Sequence, residues 1–396
     1  MRLSKIAMPK IALAAGLWVG LVASMPVLAQ ESGVTADKIV LGQSAALEGP
    51  ASALGQGMRQ GLLAAFKQAN DAGGVKGRQI ELISYDDGYR PDLALQNTRK
   101  LIATDGVFAL VGAVGTPTTV AAQPIATNFK IPFVGAFTGA GFLRDPALKN
   151  VVNIRASYDQ ETEAWIEHLT KDVDAKRIAI LYQDDSFGRA GLSGVKKAME
   201  KRSLRLVAEG SYYRNTTAVK TALLAIRKAK ADAVVIVGTY KPVAEFIKLS
   251  RSLNMDPVFV NISFVGADAL AAELGSAGSG VVVSQVVPDP TDASLPLVAD
   301  FQAALKALDP EAKPGFISLE GYMVGRLMVK ALDAIKGDIS REALLDVIQS
   351  TGSFDLGGVT LNFGPDDNQG MDRVFMTVIQ DDGSFKAVTS LAGVGG

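Results

Sequence analysis

The strongest constraint on this chain is a strand with no polar face. Ala233–Gly238 reads AVVIVG, and a strand apolar on both sides must be covered on both sides, the condition met by a parallel sheet between helices. The rest of the chain supplies those helices. β-rich runs at 38–43 (KIVLGQ) and 79–84 (QIELIS) bracket a helix over 55–70, where Met58, Leu62, Ala65, Phe66 and Ala69 recur at helical spacing. Pro91 opens a helix predicted to run through Ala103, and a strand over 108–113, a helix over 117–128 and a strand over 131–135 follow. A second block repeats the pattern: RIAILY at 177–182, a helix over 188–201, a strand over 204–209, a helix over 217–228, AVVIVG, a helix over 242–253, and strands over 258–262 and 280–287. Helices are expected at 296–308, 318–336 and 341–349, then hairpin-like strands at 359–363 and 374–380. Strands separated by helices of this length make βαβ units. The predicted fold is therefore α/β, with two Rossmann-like lobes built on parallel sheets. Ligands of such sheets sit beyond the carboxyl ends of the strands, at helix N-termini.

Composition removes several kinds of chemistry. The 396 residues contain no cysteine, which excludes thiol nucleophiles, iron–sulfur clusters, cysteine-ligated zinc and disulfides; a single histidine excludes a multi-histidine metal site. Lys and Arg number 40 against 41 Asp and Glu, so no overall field favours nucleic acid or an anionic membrane. Neither a Gly-x-Gly-x-x-Gly fingerprint nor a Gly-x-x-x-x-Gly-Lys-Ser/Thr loop is present, so no nucleotide site and no cofactor are expected. His168 lies in a helical run with Trp165 and Leu169, outside any triad arrangement, and there is no Gly-x-Ser-x-Gly elbow. The pairs Asp86-Asp87, Asp184-Asp185 and Asp366-Asp367 read as caps and solvated turns. The expectation is a non-enzyme.

The first 29 residues read as an address. Arg2, Lys5 and Lys10 form a positive region, an apolar run spans Ile11–Val22, and Val27-Leu28-Ala29 ends in a small residue where a signal peptidase cuts. Cleavage after Ala29 is expected, giving a soluble chain exported to a bacterial periplasm. The absence of cysteine excludes lipid attachment there.

The strand-end loops carry the candidate residues. After the strand at 108–113 comes Val114-Gly115-Thr116-Pro117, where small residues open the backbone to a ligand. Pro117 starts the next helix and leaves Thr116 near its N-cap, hydroxyl and free N–H groups together. The loop after 131–135 offers Ala136, Phe137 and Thr138. In the second block, Phe187 follows Asp184-Asp185, Tyr240 follows AVVIVG, and Ser263-Phe264 follows the strand at 258–262. Aromatic rings at strand ends clamp a ligand by apolar contact. Tyr158 and Asp159 precede the helix bearing Trp165, and Asp159 either caps that helix or faces a cationic group.

These residues, with Leu47-Glu48-Gly49-Pro50 and Gly55, Gly61, Ala72-Gly-Gly-Val-Lys-Gly77, Tyr85-Asp86-Asp87 before Pro91, Val111-Gly112, Phe187-Gly188 and Gly238-Thr-Tyr240, resemble a known family. The chain is similar, from about Lys38 to Val388, to the leucine/isoleucine/valine-binding-protein-like type I periplasmic solute-binding proteins of ABC transporters. The resemblance implies two lobes joined by three crossover strands, with residues 37–155 plus 286–353 in an N-terminal lobe and 156–285 plus 354–390 in a C-terminal lobe. It implies a monomer that traps a small carboxylate or amino-acid-like ligand between the lobes and delivers it to an inner-membrane permease. It assigns Thr116 to the ligand carboxylate, with Gly115 beside it, and Ala136 and Thr138 to the next carboxylate-facing loop. Leu54 becomes an apolar cleft residue, Phe187 and Tyr240 become clamps from the second lobe, and Tyr158 lies near that lobe's first loop. Amino-acid binders of this family place an acid where this chain has Ser263. Either Asp159 or Asp185 takes its part, or the ligand has no α-amino group; the second reading is favoured because a buried ammonium without an anion is costly. A sensor subunit of the same fold and a secreted hydrolase are the rival readings. A DNA-binding regulator is a third, opposed by the absence of a helix-turn-helix and by the signal segment.

Overall fold

The computed structural model describes residues 31–394; the signal segment read over residues 1–29 lies outside them. The first sheet holds β1 (Lys38–Ala45), β2 (Gln79–Asp86), β3 (Ala109–Val111), β4 (Phe133–Val134) and β5 (Val151–Val152), all parallel in the order β2-β1-β3-β4-β5. Its connections carry α1 (Ser52–Asp71), α2 (Pro91–Ala103) and α3 (Thr116–Asn128). The second sheet holds β6 (Ile178–Gln183), β7 (Ala208–Tyr212), β8 (Ala233–Val237), β9 (Val258–Asn261) and β10 (Val282–Gln285), again parallel. The helices α4 (Tyr158–Lys171), α5 (Ser186–Glu200), α6 (Lys220–Lys228), α7 (Tyr240–Ser252) and α8 (Ala267–Leu274) connect them. Every residue of β8 is buried between β6 and β9, as its unbroken apolar run requires.

The chain passes between the sheets three times. It leaves β5 through residues 153–157 to start α4. After β10 it returns, so that α9 (Pro296–Leu308) and α10 (Phe316–Ala334) pack on α1, with the Tyr322 hydroxyl donating to Gln68 Oε1 at 2.7 Å. From α11 (Arg341–Thr351) and the two-stranded β11 (Ser353–Asp355) and β12 (Thr360–Asn362) it crosses again. There it adds β13 (Phe375–Ile379) antiparallel to β10, and β14 (Phe385–Val388) beyond it. The first and third passages lie side by side: the Asn153 N–H donates to Asn368 O at 2.7 Å and the Gly370 N–H to Asn153 O at 2.8 Å.

Two local expectations are corrected. The strands near 359–363 and 374–380 do not pair with each other. β12 alternates exposed and buried residues and takes β11 as its partner, whereas β13 has four consecutive buried residues and extends the large sheet. Pairing of β7 with β6 begins at Ala208 rather than 204, with half-buried Leu204 and Leu206 leading in.

Candidate functional site

The carboxyl ends of both sheets face one another, and the lobes are closed across the seam. From the first sheet, the turn after β2 projects Tyr89, whose backbone has φ +59°. A bulky residue rarely adopts this left-handed conformation. Its own N–H donates to Asp87 Oδ1 at 2.9 Å, and Asp87 Oδ2 accepts the Ser44 hydroxyl at 2.8 Å. Burial pushes the Asp87 carboxyl up to about 7, with those two hydrogen bonds opposing the rise. Tyr89 reaches the opposite lobe, where Gln183 Nε2 donates to its hydroxyl at 3.3 Å and the Arg214 guanidinium lies 5.8 Å from its ring centre. Asn215 Nδ2 donates to Gly88 O at 3.0 Å beside it.

The centre of the seam is aromatic. Phe264, after β9, has its ring 4.7 Å from Phe187 of its own lobe, 5.0 Å from Phe137 and 6.0 Å from Tyr89 of the other. Tyr158 stands 5.7 Å from Phe187. Hydroxyls line one side of this cluster: Thr116 Oγ1 and Thr138 Oγ1 are 2.7 Å apart, and Thr138 Oγ1 is 3.3 Å from Tyr158 Oη. All are buried, and so is the hydroxyl of Thr119 in the same first turn of α3, which has no partner. Thr116 is the first residue of α3; the N-cap is Gly115, at φ +98°. Protein rings lie close against the small residues of these loops. A Cβ on Gly115 would fall 2.3 Å from Tyr89 Cε2, and one on Gly139 would fall 2.5 Å from Tyr158 Cδ1. Arg144 fastens this loop to the first crossover, donating to Thr138 O, Ala140 O and Arg155 O at 3.1 Å each.

Thus Thr116, Phe137, Thr138, Tyr158, Phe187, Ser263 and Phe264 come together. Leu54 and Tyr240 meet from opposite lobes a short way along the seam. The Ala53 N–H donates to Tyr240 Oη at 3.4 Å, and the side chains of Leu54 and Tyr240 both approach Gly266. Ala136 points the other way, into the small core behind the first sheet with Ala113 and Leu143, because alternate residues of an extended segment face opposite sides. Asp159 is turned out to solvent, its side chain 51% exposed and 2.8 Å from Lys197 Nζ. It does not cap α4, since Ser157 does so in a capping box with Gln160. Asp185 caps α5 through the Phe187 N–H at 2.9 Å and also meets Gln183 and Arg214.

Sequence reasoning missed the charged layer beside this cluster. Arg155, on the first crossover, is fully buried with its guanidinium carbon 5.0 Å from the centre of the Phe137 ring and 6.0 Å from that of Tyr158. Its Nη2 lies 3.3 Å from Glu161 Oε1 and donates to the Ser263 hydroxyl, and its Nη1 lies 3.4 Å from Glu320 Oε1. Burial pushes Glu320 up to about 7, against the pull of Arg155. Three residues from α4, α10 and a crossover carry no local spacing. The available hint was that Arg155 and Glu161 flank the Tyr158 segment. Among the described residues, no group of three or more histidine and acidic side chains is arranged to hold a metal ion.

This geometry has relatives. A family model described as periplasmic binding protein matches residues 38–384. The chain belongs to the periplasmic binding protein family. Its sequence and architecture are those of the leucine/isoleucine/valine-binding-like, type I members. A solved structure of a possible leucine/isoleucine/valine-binding protein from Rhodopirellula baltica SH 1 is 40% identical, with a TM-score of 0.85 over 89% of this chain and 97% of that one. The Leu/Ile/Val-binding protein homolog 7 of Brucella abortus is 23% identical over 312 residues, 76% of this chain and 78% of its own length. A fatty acid ABC transporter substrate-binding protein from Thermomonospora curvata shares the fold, at 22% identity and a TM-score of 0.81 over 91% of this chain and 93% of that one.

Proposed function

We propose that this chain is an exported, non-enzymatic receptor. It captures a small organic carboxylate between its lobes and hands it unchanged to an ABC importer in the inner membrane. The observation that carries the reading is the convergence of Thr116, Thr138 and Tyr158 hydroxyls with Phe137, Phe187 and Phe264 from both lobes. Hydroxyls at a helix N-terminus match a carboxylate, and rings from two lobes can meet around a guest only when the lobes shut, so ligand contacts favour the closed state. The ligand is read as lacking an α-amino group. Ser263 donates to Glu161 Oε1 at 2.9 Å and accepts from Arg155, Asp159 faces solvent, and Asp185 is spent on its helix cap. None of the three is left to meet an ammonium, and the buried carboxylates beside them, Glu161 and Glu320, are paired with Arg155.

Mass spectrometry of solute co-purifying with the protein, followed by a thermal-shift screen of carboxylates, tests this directly, because a ligand of the folded state raises its melting temperature. A carboxylic acid should bind tightly and leucine weakly. Thr116→Ala should weaken the carboxylate by about 1–3 kcal/mol. Micromolar affinity for leucine in calorimetry rejects the ammonium-free reading, and turnover of the bound compound rejects the receptor.

A further inference from the structure

We infer that Arg155 is the anion receptor of the cleft, and that Glu320 is the partner it releases when a carboxylate enters, taking up a proton as it does so. The inference rests on the cleft being a carboxylate site and says which residues make it one.

Location is the first argument. Arg155 touches side chains from three separate site loops: Phe137 after β4, Tyr158 at the start of α4 and Ser263 after β9. A fully buried guanidinium at that junction can neutralise an anion by charge, whereas the hydroxyls of Thr116, Thr138 and Tyr158 bring no charge. The second argument is valence. Guanidinium offers five N–H donors. Arg155 Nη2 is spent on Glu161 and Ser263 and Nη1 on Glu320, while Nε is buried with no partner. The Nε N–H is therefore a buried donor open to an anion, and release of Glu320 frees Nη1 as well.

The third argument is the inequality of the two acids. Glu161 is engaged on both oxygens: Oε2 accepts the Ser263 N–H at 2.9 Å and the Ser284 hydroxyl at 2.6 Å, and Oε1 accepts the Ser263 hydroxyl at 2.9 Å as well as Arg155. It is the permanent counter-ion. Glu320 has one contact, to Arg155 at 3.4 Å. The charged groups that face it are Arg155 from the crossover, Glu161 from α4 and Arg144 from the segment after β4. Burial already raises its carboxyl to about 7, so a modest further push protonates it. An incoming carboxylate supplies that push twice, by drawing Arg155 away and by placing a second negative charge nearby. The balance is one ligand anion and one solvent proton bound together. The layer then holds Arg155 and Arg144 against Glu161 and the ligand, with Glu320 neutral.

Benzoate, which pairs a carboxylate with an aromatic ring, is the probe, with benzamide as its uncharged counterpart, both titrated calorimetrically into the mature protein from pH 5.5 to 8.5. Benzoate affinity should fall towards tenfold per pH unit above 7, with protons taken up from the buffer, and benzamide should not compete. Glu320→Gln should bind benzoate at pH 8.5 about as tightly as the parent does at pH 6, with no proton uptake. An infrared difference spectrum should show a new protonated-carboxyl band on benzoate binding to the parent and none in Glu320→Gln. Arg155→Lys keeps the charge but not the Nε donor, and should lose at least tenfold in affinity while melting as a folded protein. Benzoate binding that is independent of pH and unaffected in Glu320→Gln overturns this inference and leaves the receptor reading intact. Failure of benzoate and every other carboxylate in the screen, with neutral solutes binding instead, removes both.

Discussion

Asp87 connects the pH of the solution to the conformation of a site residue, and Asp87→Asn tests the link. Its carboxyl is fully buried and holds the Tyr89 N–H and the Ser44 hydroxyl. Burial pushes it from an ordinary 3.8 to about 7. In the folded chain Asp87 therefore keeps its proton up to about pH 7, whereas in the unfolded chain it loses it near pH 4. Between those limits the folded state binds more protons, so stability falls as pH rises. Three pH units at roughly 1.4 kcal/mol each give about 4 kcal/mol, fully present below pH 4 and lost above pH 7. Asparagine has nearly the same shape and does not titrate. At pH 4 the variant should be level with the parent or about 1 kcal/mol below it, for an imperfect hydrogen bond to Ser44. By pH 8 it should be about 3 kcal/mol more stable than the parent. Urea unfolding at half-unit steps of pH measures this, and the difference between the two curves isolates Asp87 from Glu320 and Asp268, whose carboxyls are also raised by burial. Curves that stay parallel from pH 4 to 8 would refute the reasoning.

Gly139→Ala places a methyl group 2.5 Å from Tyr158 Cδ1 and 2.8 Å from the Tyr158 backbone nitrogen. Differential scanning calorimetry should show a loss of about 1–3 kcal/mol, and a melting temperature equal to the parent's would mean that Tyr158 does not press on this loop. Asp159→Asn removes a solvent-exposed ion pair with Lys197; stability should stay within about 0.5 kcal/mol of the parent, and affinity for the co-purified solute should be unchanged. A tenfold loss of affinity would return Asp159 to the site.

The architecture was legible because its signals are local. AVVIVG predicts a strand covered on both faces, and β8 is that strand; Pro91 and Pro296 mark the first residues of α2 and α9. Thr116, Thr138 and Phe264 were reachable because strand ends are where a doubly covered sheet exposes backbone. Ala136 was given to the cleft by the family resemblance, but its neighbour Phe137 takes the cleft-facing side and turns the Ala136 side chain away. The Arg155–Glu161–Glu320 layer was missed: beyond the closeness of Arg155 and Glu161 in sequence, its attraction acts through space between positions as much as 165 residues apart, and no periodicity records it. Tyr89 escaped for a different reason. Its reach depends on a left-handed backbone at a tyrosine, which residue preference argues against.

Neither half of this molecule is contiguous. The core beside α1 waits for α10, more than 240 residues later, and β10 gains its outer neighbour only when β13 arrives near residue 375. A nascent chain leaving the ribosome therefore cannot finish either half before almost all of it has been synthesised. Contacts so distant in sequence slow folding. The unfinished chain would expose the flank of α1 and the edge of β10 throughout its synthesis, a form suited to chaperones.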